Sequence, residues 1–196
     1  MPLWGILIGA AAGGVYWLGA QIWPASIAVV LSMLAAAVLS AAAADTRAPG
    51  LGTLGLVFAL LVKYNALMAL SAANLPYRVP ANLALGLIMI AGHACSRALV
   101  VSVLASPVRA ASNVRAASKS ASLGDLALAL AIGFTPAALI GMPGLIGLAA
   151  AIVARIAGVA YLRARRPALA AAELDATQQL TEVCFYLGAL AAWAYI

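Results

Sequence analysis

Long apolar stretches, broken by short polar or proline-bearing segments, dominate the pattern along this chain. Seven of them approach the roughly 20 apolar residues that a bilayer-spanning helix requires: Leu3 to Ala20, Ala25 to Ala44, Gly50 to Ala72, Leu83 to Ala105, Leu123 to Ile140, Pro143 to Tyr161 and Leu180 to Ile196. Trp23-Pro24, Arg47-Ala48-Pro49, Pro76 through Pro80, Pro107, Met142-Pro143 and Pro167 mark the breaks, because proline has no amide donor and disfavours helix continuation. No segment shows the strict alternation of a membrane β-barrel strand. The pattern therefore predicts an all-α polytopic membrane bundle of six to seven transmembrane helices, forming one domain over residues 1–196. The Gly141-Met142-Pro143 break decides between the two counts, since it reads either as a turn or as a kink in one longer tilted helix. Met1 to Leu18 lacks a basic leader and is followed by further spans, so it reads as a retained helix.

Composition agrees with that pattern. Hydrophobic residues make up 66% of the chain and charged residues 8%, with mean hydropathy +1.10, whereas soluble domains carry about 25% charged residues. The net charge of +6 is not arranged as a basic stripe interleaved with aromatics, which argues against a nucleic-acid partner. It sorts by loop instead. Arg47, then Arg109, Arg115 and Lys119, then Arg163, Arg165 and Arg166 lie in alternate connections, while the opposite set holds Arg78. Basic loops stay in the cytoplasm, so the expected setting is a bacterial inner membrane, with the N-terminus and the basic face inside and, for seven spans, the C-terminus outside. Cys95 and Cys184 sit in apolar runs without metal-ligand spacing, so neither a disulfide nor zinc is expected. Gly5, Gly9 and Gly13 recur every fourth residue and predict close helix packing or a homo-oligomer contact.

Ionisable groups inside a bilayer cost about 2.5–3.5 kcal/mol on insertion scales, so they normally face a partner or a polar cavity. Lys63, His93, Arg97, Arg155 and Glu182 fall within apolar spans. The expected orientation puts Arg97, Arg155 and Glu182 toward the basic side, where Arg97 or Arg155 can pair with Glu182. Asp45, Arg47, the Arg109 to Lys119 loop and the Arg163 to Asp175 loop cap the same face. A cationic mouth over a polar intramembrane floor suits a phosphorylated substrate close to the lipid surface; each pairing also has a purely structural reading, as a helix-locking ion pair.

The order of short motifs resembles the cobalamin synthase family, adenosylcobinamide-GDP ribazoletransferase. Pro2-Leu3-Trp4-Gly5 with Gly9 resembles that family's Pro-Leu-x-Gly-x-x-x-Gly helix, and Asp45-Thr46-Arg47 followed by an apolar run to Lys63 is similar to its Asp-Ser-Arg segment. Gly92-His93-Ala94-Cys95-Ser96-Arg97 resembles its intramembrane Ser-Arg motif, with a basic loop following at Pro107 to Lys119. Ala176-Thr177-Gln178-Gln179-Leu180-Thr181-Glu182 resembles its closing Gly-Ala-to-Glu run.

The resemblance implies phosphoryl transfer. A hydroxyl of α-ribazole, or of its 5′-phosphate, attacks the phosphorus joining cobinamide to GMP, and GMP leaves, with Mg²⁺ and cationic side chains offsetting the developing charge. On that reading Asp45, Arg47 and Arg97 are the catalytic residues. Lys63, His93, Arg109, Arg115, Lys119 and Arg155 bind substrate, and Asp45, Asp175 and Glu182 hold the metal. The chain departs from the family where Ser40-Ala41-Ala42-Ala43-Ala44 runs straight into Asp45, without the usual aspartate-rich stretch, and where Ala171-Ala172-Glu173-Leu174-Asp175 stands in place of a Gly-Asp pair. Two other readings stand beside it: an inactive relative acting as a membrane scaffold or binding partner, which follows from those departures, and a small corrinoid transporter built on the polar intramembrane site.

Overall fold

The computed structural model describes residues 2–42, 52–72, 81–104, 123–165 and 170–193. These form seven α-helices: α1 (Pro2–Gly19), α2 (Ala25–Ala42), α3 (Gly52–Ser71), α4 (Ala81–Leu104), α5 (Leu123–Leu139), α6 (Met142–Arg165) and α7 (Ala171–Trp193). No strand occurs among the described residues. By length and composition α3, α4 and α6 can each cross a membrane; α1, α2 and α5 are apolar but slightly shorter.

The central element is α4. Lipid tails are as apolar as leucine, so hydrophobicity alone does not drive helices together in a bilayer, and close contact depends on small residues. α1 lies antiparallel on α4 through the glycine stripe: Gly5 faces the His93 backbone, Gly9 faces Ile90 and Gly13 faces Gly86. A methyl group built on Gly9 would stand 2.5 Å from the Ile90 Cα, so even alanine is excluded unless the helices separate. The stripe is thus consumed within the chain as helix packing, and these three buried glycines offer no surface to a second copy. On another side α7 runs antiparallel to α4, with Gly92 against the Tyr186 ring.

The Gly141 break is a true reversal. Gly141 has φ of 80°, in the left-handed region that side-chain-bearing residues avoid, and it separates α5 from α6. Gly133 of α5 lies beside Ala94 and Ala98 of α4. Gly144 packs on Ala137 just across the turn, and α6 then climbs back along α4 until Arg155 reaches the carbonyl of Ser102. That turn makes α5 and α6 separate helices, giving seven rather than six among the described residues.

Two boundaries differ from the sequence pattern. The last helix begins at Ala171, nine residues before the apolar run starting at Leu180. Its first turn is closed by Glu173, whose carboxylate accepts from the amide of Ala170 at 2.9 Å, the reciprocal half of a capping box. Likewise α6 continues past Tyr161 to Arg165, with Arg163 and Arg165 in the last turn, where cations complement the helix dipole. The Arg165 guanidinium lies 4.5 Å from the centre of the Tyr161 ring.

Candidate functional site

Polar side chains gather where α3, α4 and α7 meet. Glu182 on α7 is 1% exposed, Lys63 on α3 is 5% exposed and His93 on α4 is 3% exposed. The Lys63 Nζ donates to Glu182 Oε1 in a short, buried ion pair. Tyr186, one turn along α7, donates its hydroxyl to the same oxygen at 3.0 Å, and its ring lies 5.7 Å from the Lys63 ammonium. His93 Nε2 approaches that oxygen at 3.3 Å. The charge of Glu182 is therefore balanced inside the bundle by a partner on a different helix, as ionisable groups at membrane depth require.

This arrangement corrects the pairing expected from spacing. Neither Arg97 nor Arg155 forms the ion pair with Glu182; Lys63 does, because α3 inserts its side chain between α4 and α7. Lys63 and His93 are both buried against Glu182, so the three side chains tie α3, α4 and α7 together. Oε1 of Glu182 is already engaged by the Lys63 ammonium, which would repel a second cation at that oxygen. Arg155 Nη2 donates 3.0 Å to the carbonyl of Ser102 in the last turn of α4. Its cation thus compensates the negative end of that helix.

Arg97 is different. It sits one turn beyond His93 toward the end of α4, and its Nη2 donates to Ser40 Oγ near the end of α2 at 3.2 Å. It lies within electrostatic reach of Asp175 and Glu182. Its Nε, like that of Arg155, is buried without a hydrogen-bond partner among the described residues, and such a donor is costly to leave unmet. Arg97 is thus half-buried and polar-flanked, at the same end of the bundle as Arg163, Arg165 and Asp175.

Asp45, Arg47, Arg109, Arg115, Lys119 and Arg166 lie outside the described residues. Within the described residues, no three His, Cys, Asp or Glu side chains converge as a metal-binding group. The described carboxylates within electrostatic reach of Arg97 are that of Glu182, already paired with Lys63, and that of Asp175. Sequence reasoning missed Tyr186, although a tyrosine four residues after Glu182 on one helix face was a readable signal. It also missed Ser40 and Ser102, whose roles depend on which helices become neighbours.

A multi-helix membrane bundle, with a buried charge cluster and an arginine aimed at its basic end, defines the class of protein. Comparison with curated proteins narrows it. The chain is 32% identical to the adenosylcobinamide-GDP ribazoletransferase of Leptothrix cholodnii, over 97% of this chain and 83% of that protein. It is 29% identical to the adenosylcobinamide-GDP ribazoletransferase of Ralstonia nicotianae, over 98% and 83% respectively. The chain belongs to the adenosylcobinamide-GDP ribazoletransferase family. The first alignment runs over 225 positions although this chain has 196 residues, so its relative carries segments that are missing here. No family profile matches the chain, and no solved structure matches it.

Proposed function

We propose that the chain is a shortened membrane transferase of cobalamin biosynthesis, joining adenosylcobinamide-GDP to α-ribazole or its 5′-phosphate with release of GMP. Arg97 is the observation that carries this reading. It is a half-buried, polar-flanked guanidinium with an unmet N–H, near the basic end of a bundle that belongs to this family. A guanidinium suits the charge that spreads over phosphate oxygens during transfer. Asp45, Arg47, Arg109, Arg115 and Lys119 complete the phosphate-binding face in this proposal, which lies at the cytoplasmic surface of a bacterial inner membrane. Magnesium, which would neutralise and orient the transferring phosphates, would be held by Asp45 and Asp175 without Glu182.

A second reading has its own support. Since Glu182 is occupied by Lys63 and the acidic stretch of the family is absent from the sequence, the chain would bind corrinoid nucleotides or their enzymes without catalysis. Complementation separates the two. In a strain lacking cobalamin synthase and fed cobinamide, the transferase reading expects growth from this chain, lost with Arg97→Ala and little restored by Arg97→Lys. Absence of rescue, despite membrane-inserted protein, overturns it in favour of the binding role.

A further inference from the structure

α3, like α6, is far less integrated than α4: 22% of its spanning segment is buried, against 61% for α4. Its inward face carries Lys63, Ala66, Leu67 and Leu70. The opposite face presents Leu54, Phe58, Leu61 and Asn65, all exposed, at the alternating four- and three-residue spacing of a left-handed helix–helix seam. Beside this ridge an apolar groove of about 240 Å³ runs between α2 and α3, bordered by Met33, Val57 and Tyr64 among others.

Asn65 distinguishes this face from one built to meet lipid alone. Its Nδ2 donates to the Leu61 carbonyl at 2.8 Å, and among the described residues its amide makes no other hydrogen bond. The remaining amide capacity points out of the bundle about one turn from the midpoint of α3, at a depth where lipid tails offer no partner. A carboxamide is both donor and acceptor and so complements itself. In a twofold contact each residue can meet its own copy, which makes Asn65 suited to face Asn65 across the axis. We propose that a second copy of this chain docks on α3, with the Leu54/Phe58/Leu61/Asn65 ridges crossing at a shallow angle and each ridge flanked by the other copy's groove. This contact takes over the oligomer role that the Gly5/Gly9/Gly13 stripe cannot fill, and it does not depend on the catalytic reading.

The full chain, reconstituted in phosphatidylethanolamine/phosphatidylglycerol vesicles, tests this. Under mild oxidation, Leu61→Cys should give a covalent dimer, while the parent and the lipid-facing control Leu128→Cys should not. Asn65→Leu should lower the dimer fraction about threefold to tenfold, with Asn65→Gln retaining it. Two-step photobleaching of fluorescently tagged parent protein, changing to one step for Asn65→Leu, gives the same readout without a new cysteine. No dimer with Leu61→Cys together with one-step bleaching, equal crosslinking by Leu128→Cys, or crosslinking of Leu61→Cys in native membranes to a species of another size overturns the proposal.

Discussion

At the scale of single residues, Glu182 determines what its neighbours do. A buried ion pair is weak evidence of net stabilisation, but removing one partner strands the other charge in an apolar interior. Lys63→Met should therefore cost roughly 3–5 kcal/mol and lower the thermal midpoint in detergent, read by fluorescence-detected size exclusion. Lys63→Met combined with Glu182→Met should recover most of that loss, because methionines of similar volume leave no uncompensated charge; a double variant as unstable as the single one would contradict this account. The residues of the cluster were legible as polar groups at depth, and their partners were not. One-dimensional spacing fixes depth along each helix, and on depth alone Arg97 and Arg155 were the expected partners ahead of Lys63. What selected Lys63 was the lateral arrangement of α3 against α4 and α7, which no periodicity within one helix encodes. Tyr186 shows the opposite case, since its partner lies on its own helix at a fixed four-residue offset.

At the scale of elements, small residues set how closely the helices approach. Gly92 has Tyr186 ring atoms 2.6 to 2.7 Å from where a methyl would lie, so Gly92→Ala must displace the tyrosine that donates to Glu182. The expected result is loss of the Tyr186 hydrogen bond, worth about 1.5–3 kcal/mol to a charged acceptor. The fall in thermal midpoint should exceed that of Gly14→Ala, where a methyl meets nothing within 4 Å; equal falls would show that the α4–α7 contact is looser than described. Helix positions were readable wherever apolar runs end at proline or glycine. They were misread at α6 and α7, whose ends are polar: Arg163 and Arg165 prolong the first, and Glu173 starts the second. Hydropathy reports which residues lipid accepts, whereas capping and dipole complementation decide where a helix stops.

For the whole molecule, topology links the charge pattern to the site. Contacts of α4 with α1, α6 and α7, and the reversal at Gly141, establish a direction for each of those helices; the ends that carry Arg97, Arg163, Arg165 and Asp175 then fall together. If the basic end is cytoplasmic and all seven helices cross, the C-terminus lies outside. Alkaline phosphatase fused after Ile196 should then be active and green fluorescent protein fused there should be dark. The same pair fused after Arg165 should give the reverse. The prediction is stringent because α1, α2 and α5 are shorter than the other candidates, and failure of one of them to cross would invert every later loop. A cytoplasmic C-terminus with a cytoplasmic Arg165 would place both ends of α7 on one side, leaving that helix and Glu182 short of a full crossing. An external Arg165 would remove the basic end from the side where nucleotide substrates are available, and the phosphate-binding role proposed for Arg97 would fall with it.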